Sequence, residues 1–134
     1  MILKGLNILT AREFLNLITA VNWGTEKNFT TDGLNLAISS STQIYGIRND
    51  NGELVAISRV LSDNYLFSTV PEILVHPDYQ KKGFGKMLME EVKKDFSHTA
   101  IFFGAQPGNE GFFENLGFQR GMQSFTSNRE LPKT

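Results

Sequence analysis

A chain of 134 residues, 40% hydrophobic and 20% charged, is long enough to bury one core and is ordinary for a globular domain. Its formal charge of −1 argues against a general nucleic-acid binder, which carries a basic excess. The lack of cysteine removes disulfides, thiolate metal ligands and a cysteine nucleophile together, and the N-terminus has no apolar run of signal-peptide or membrane-spanning length. We read one domain over residues 1–134, soluble and cytoplasmic.

Residues 1–9 are apolar and compatible with a strand, although Gly5 and Asn7 weaken it. Thr10 is placed to cap a helix over 11–21, with Glu13 completing a capping box and Phe14, Leu15, Leu17 and Ile18 as its buried face. Residues 22–25 break it. A second short helix is predicted within 29–40, capped by Thr31 or Asp32. Strands are then expected over 42–48, 53–61 and 65–75, joined by turns at Asn49-Asp50-Asn51-Gly52 and Ser62-Asp63-Asn64. Pro71 cannot donate to a ladder, so it marks a bulge or break in the third strand.

A helix follows over 83–95, with Phe84, Met87, Leu88, Val92 and Phe96 on one stripe and Lys86–Glu90 and Glu90–Lys94 as outer pairs. Residues 99–105 read as a strand buried on both faces. A helix over 110–116 ends at Gly117, 118–127 suggest a last strand, and 128–134 form a polar tail. The order implies an α/β domain with a mixed sheet, antiparallel first and then joined to a parallel neighbour by a helical crossover.

The chemistry centres on the junction from Val75 to Asp95. A strand runs through His76-Pro77-Asp78 into a loop holding Gln80, Lys81, Lys82, Gly83, Phe84 and Gly85, which opens into a helix. Unpaired N–H groups and the positive helix end make such a loop an anion site, most often for phosphate. It is not a P-loop, because Gln80 takes the first glycine position and Met87 the metal-binding hydroxyl position. It is not a dinucleotide fingerprint, because Leu88 stands at the third glycine.

Gln80-Lys81-Lys82-Gly83-Phe84-Gly85 does match Gln/Arg-x-x-Gly-x-Gly/Ala, framed by Val75-x-Pro77 before it and a helix after it. Downstream, Gly111-Phe112-Phe113-Glu114-Asn115-Leu116-Gly117-Phe118 is similar to a Phe-Tyr-x-x-x-Gly-Phe segment. On these motifs the chain resembles the GNAT superfamily of N-acetyltransferases, over about residues 65–118. Trp23 and the compact N-terminal helices look similar to its small bacterial members.

The resemblance implies a mostly antiparallel central sheet with a parallel splayed strand pair, flanked by helices. It implies acetyl-CoA as cosubstrate and an amine acceptor, with no nucleic acid or membrane partner, and it is compatible with a homodimer. Backbone of Leu74, Val75 and His76 would pair with pantetheine. The loop of Gln80, Lys81, Lys82, Gly83, Phe84, Gly85 and Lys86 would hold the pyrophosphate. Asn109, Phe112 and Phe113 would line the thioester end. Glu72 would be the general base, in a direct attack within a ternary complex, and an N–H near Val75 would polarise the thioester oxygen.

One departure stands out. The family's frequent tyrosine, which protonates the leaving thiolate, falls on Phe113. The alternative reading is therefore an acyl-CoA-binding or sensory domain with weak or no catalysis, and a more distant one is an interaction domain that kept only the fold. His76 reads first as a turn residue, His98 as a complement to a helix end, and the two histidines without clustered carboxylates imply no metal site. Trp23 reads as packing or as a wall of the acceptor pocket.

Overall fold

The computed structural model describes residues 1–130. The four last residues of the predicted polar tail lie outside the described residues. A sheet of five strands runs in the order β1 (Leu3–Lys4), β2 (Gln43–Arg48), β3 (Leu54–Ser62), β4 (Phe67–Val75) and β5 (Ala100–Phe102). Every pair is antiparallel except β4 with β5, which are parallel. Helix α3 (Phe84–Asp95) is the crossover between those two.

The period of two along the strands sends alternate residues to two cores. Ile44, Ile57 and Leu74 face α1 (Ala11–Ala20) and α2 (Thr31–Ser39), where Phe14, Leu17, Ile18, Leu34 and Ile38 are buried. Tyr45, Ile47, Val60 and Val70 face α3, where Leu88, Met89, Val92 and Phe96 are buried, and α4 (Glu110–Asn115) joins this second layer through Phe113. The chain is thus a sheet between two helical layers.

The capping box of α1 forms as its sequence predicts: Thr10 Oγ1 accepts from the Glu13 N–H (3.1 Å), and the Glu13 carboxylate accepts from the Thr10 N–H (3.1 Å). Helix α4 ends on Gly117 at φ 89°, where the Phe118 N–H reaches the Phe113 carbonyl and the Gly117 N–H that of Glu114. Pro71 does sit at a bulge. Arg59 faces Glu72 and Leu61 faces Thr69, so Val60 alone opposes both Val70 and Pro71.

Several expectations are corrected. Strand pairing in residues 1–9 is confined to Leu3–Lys4, because Gly5 at φ 126° turns the chain into a 3-10 turn at Leu6–Ile8. The cap of α2 is Thr30, whose Oγ1 accepts from the Gly33 N–H, rather than Thr31 or Asp32. Within α3, Met89 is buried while Met87 is partly exposed, and Lys94 approaches Glu91 rather than Glu90.

The strand expected over 99–105 is only the three residues of β5. It forms the sheet edge and is not buried on both faces, because no strand pairs with its outer side among the described residues. The strand expected over 118–127 does not form. Its apolar side chains Met122 and Phe125 are 87% and 92% exposed, so no buried face holds that segment on the sheet.

Candidate cofactor and acceptor site

The parallel pair is short. Phe67, Ser68 and Thr69 align with Ala100, Ile101 and Phe102, and there the pairing stops. The bulge at Val70–Pro71 follows at once. Beyond it β4 stays on β3 through Glu72, Ile73, Leu74 and Val75, while its other edge has no strand partner. Where the parallel pairing ends, a wedge opens whose one wall is β4 backbone without a strand partner on that side. Of the residues expected to supply that wall, Leu74 buries its side chain toward α1 and α2, and Val75 packs toward α3. The His76 N–H is committed to the Val55 carbonyl (2.8 Å).

The loop beyond the wedge is fixed from within. His76 Nδ1 accepts from the Asp78 N–H (3.1 Å), and Gln80 Nε2 donates to the Val75 carbonyl (3.1 Å). Gln80 thus braces the loop against the strand end. Lys81 (φ 63°) and Gly83 (φ 84°) both take left-handed backbone to bring the chain to the start of α3. A Cβ on Gly83 would meet nothing within 4 Å, so glycine is required there by conformation and not by space.

The first N–H to close the helix is that of Met87, onto the Gly83 carbonyl (3.0 Å). The N–H groups of Phe84, Gly85 and Lys86 therefore point out of the helix end. No acidic side chain occupies this first turn, and no side chain caps it. The arrangement fits a bound anion. Lys82 Nζ lies 5.9 Å from the Tyr79 ring centre, and Lys86 is loosely paired with Glu90 at 3.8 Å.

The downstream motif folds back onto this loop. A Cβ on Gly85 would lie 3.5 Å from the Phe112 ring and 4.0 Å from Val75, so α4, the loop and the strand end meet at this glycine. Phe112 is half-exposed and packs edge-on against Phe113 (5.0 Å), which in turn packs on Phe103 (4.6 Å). Phe113 is thereby a core aromatic. Asn109 precedes α4 without capping it by its side chain.

Tyr79 has its hydroxyl bound by Asn49 Nδ2 (2.9 Å), and Tyr65 lies exposed in the turn before β4.

Glu72 sits on the opposite face, toward α1 and α2, and is not a free carboxylate. Both its oxygens accept from Arg59, at 2.7 Å from Nε and 2.8 Å from Nη2, and each side chain is only 12% exposed. Arg59 also lies over the Phe14 ring and reaches Ser41 Oγ (3.3 Å). Sequence reading missed this pair. The only local signal was the hairpin between β3 and β4, and the bulge sets its register.

A model of the GNAT acetyltransferase domain matches residues 40–120, which span β2 to the end of the second motif. The chain belongs to the GNAT family. Over nearly its whole length it is similar to a GNAT-family acetyltransferase from Streptococcus pneumoniae TIGR4, at 27% identity and a TM-score of 0.79, covering 97% of this chain and 98% of that one. It is 32% identical over 89 residues to an uncharacterized N-acetyltransferase of Porphyra purpurea, covering 62% of this chain and 51% of that protein. A glucosamine 6-phosphate N-acetyltransferase from Schizosaccharomyces pombe is 35% identical over 54 residues, 38% of this chain and 49% of that protein. The chain spans about half the length of the curated relatives it matches or less. The family supports acyl transfer as the general activity. Among the described residues, no helix is long and apolar enough to cross a membrane.

Proposed function

We propose that this GNAT domain transfers an acetyl group from acetyl-CoA to a primary amine by direct attack in a ternary complex, in the cytoplasm. The observation that carries this reading is the pairing of an open β4 edge with a left-handed, uncapped helix start directly beyond it. Acetyl-CoA supplies the activated acetyl thioester.

The chain's own part is to bind, orient and move protons. The N–H groups of Gly83, Phe84, Gly85 and Lys86 take the pyrophosphate, with Lys81 and Lys82 adding charge. Of Leu74, Val75 and His76, the strand end assigned to the pantetheine amides, Val75 offers its N–H away from β3, since the His76 N–H is bound to Val55 and the Val75 carbonyl to Gln80. Phe112, Phe113 and Asn109 form the wall opposite.

Glu72 is assigned the base. Arg59 fixes its rotamer, and an ionised carboxylate keeps further acceptor sites beyond the two that Arg59 uses, enough to take a proton through water. The leaving thiolate departs without a tyrosine, which is tolerable for a group with a pKa of about 8.5. Glu72→Gln is expected to lower thiol release from acetyl-CoA with an amine panel more at neutral pH than at high pH. An equal loss at every pH would count against the base role.

Phe113 favours a second reading, an acyl-CoA-binding domain with little transfer. If CoA raises the unfolding temperature but no amine in the panel raises thiol release, that reading gains.

A further inference from the structure

The segment after α4 leaves one helical layer and ends on the other. It begins beside α3, where Phe118 packs edge-on against Phe103 (5.0 Å) and Arg120 pairs with Glu114 (3.2 Å). Residues 118–124 then pass the outer edge of β5 across a cavity of about 500 Å3, shared with residues 101–105. At its far end Arg129 Nη2 donates to the Asn28 carbonyl (3.0 Å), and its guanidinium lies 5.1 Å from the centre of the Phe29 ring. Asn28 and Phe29 belong to the loop between α1 and α2, on the other face of the sheet, and Phe29 packs against the first core.

Five residue steps, spanning at most about 18 Å, carry the chain from Ser124 to this anchor. The α1–α2 loop and the β5 edge therefore flank a narrow gap that the segment bridges.

That gap holds an uncovered part of the sheet face. Val70, Ile101 and Phe103 belong to the core around α3, so Phe67, Thr69 and Phe102 face the α1–α2 side. Phe67 and Phe102 stack there at 5.5 Å and remain 44% and 46% exposed. This surface lies on the same face as Glu72, just before the bulge. The segment that lines the neighbouring cavity together with Phe102 is held at its ends and not by burial, since Met122 and Phe125 are almost wholly exposed.

We infer that residues 119–129 form a strap over the acceptor-facing side of the β4–β5 wedge, clipped shut by Arg129 on the α1–α2 loop, and that release of this clip admits the acceptor. Arg129 is thus a positioning residue for access and has no part in the acyl transfer itself. The inference rests on the reading of the wedge as the transfer site.

The absence of cysteine allows a direct test, with Phe102→Cys as a single thiol in the cavity that the strap lines. Labelling by fluorescein maleimide should quicken about fivefold when Arg129→Ala is added, as expected for loss of about 1 kcal/mol of closure. Tryptic cleavage after Arg120 should quicken by a similar factor. Arg129→Lys, which keeps a donor for Asn28, should restore most of the protection. The CoA-induced rise in unfolding temperature should be the same with and without Arg129→Ala. Unchanged labelling and cleavage in Arg129→Ala would overturn the strap. Loss of the CoA shift in the parent protein would instead overturn the reading of the wedge.

Discussion

The side proposed for the cofactor and the side proposed for the acceptor are held by contacts of different range. From Ile73 to Gly85 the loop itself is shaped by local contacts, although Val55, Asn49 and Phe112 support it from elsewhere. Gln80 braces the strand end five residues before it, His76 accepts from the N–H two residues on, and Gly83 turns into the helix it starts. On the proposed acceptor side the named contacts join residues further apart in sequence. Arg59 holds Glu72 across a bulged hairpin, and Arg129 holds Asn28 from 101 residues away. Local geometry survives sequence change elsewhere, whereas long-range contacts can be rebuilt without disturbing the loop.

The largest expected effect breaks the acceptor side alone. Arg59→Leu leaves the Glu72 carboxylate unpaired in a site where it is 12% exposed, and should cost about 3 kcal/mol in denaturant unfolding. Arg59→Leu with Glu72→Leu should recover most of that loss. In both proteins the rise in unfolding temperature with CoA should persist. Its loss would mean that the two sides are not separable.

Gly83→Val tests the other side. A β-branched residue at φ 84° costs about 1–2 kcal/mol, and it should abolish the CoA shift by displacing the loop. Gly85→Ala is the finer probe. Its backbone φ is ordinary and a Cβ would touch Phe112 at 3.5 Å, so stability should change by less than about 0.5 kcal/mol while CoA binding weakens. Undiminished CoA binding in Gly85→Ala would argue against close approach of the ligand to this glycine.

A smaller effect concerns the scaffold that both sides share. Burial raises the Asp95 carboxyl, but hydrogen bonds from Lys4 (2.9 Å) and Tyr45 (2.9 Å), with the charges of Lys4 and Lys94, outweigh it and hold the group below the usual range. The Tyr45 hydroxyl is pushed upward, first by burial and then by Asp95, so it stays a donor. A depressed carboxyl stabilises the fold fully above its unfolded pKa of about 3.9 and loses that contribution as pH falls through the lower folded value. Stability should therefore decline on acidification below about pH 4. Tyr45→Phe should cost about 1 kcal/mol at pH 7 and make that decline shallower. A parallel decline in both proteins would place the acid sensitivity elsewhere, with Glu13, which Arg48 and Thr10 hold low against burial, as the next carboxyl to examine.

The same contrast explains what could be read from sequence. The capping box at Thr10, the turn at Asn49–Gly52, the bulge at Pro71, the loop from Gln80 to Gly85 and the stop at Gly117 are written in neighbouring residues, and each forms. The strand expected over 118–127 rested on apolar residues whose burial depends on a distant partner, and none is provided. The apolar run of β5 fits a longer, enclosed strand, but only position in the sheet tells centre from edge. Likewise, Glu72 is marked by its place on the motif strand, while nothing near it in sequence announces Arg59.

The uncapped start of α3 and the open edge of β4 are proposed to bind CoA together. The most direct measurement is heat unfolding of the whole chain during CoA titration, with Gly85→Ala alongside. At a hundredfold excess over Kd the unfolding temperature should rise by on the order of 5–10 °C, and Gly85→Ala should need more CoA for the same rise. No rise at millimolar CoA, or an identical titration for Gly85→Ala, would contradict it.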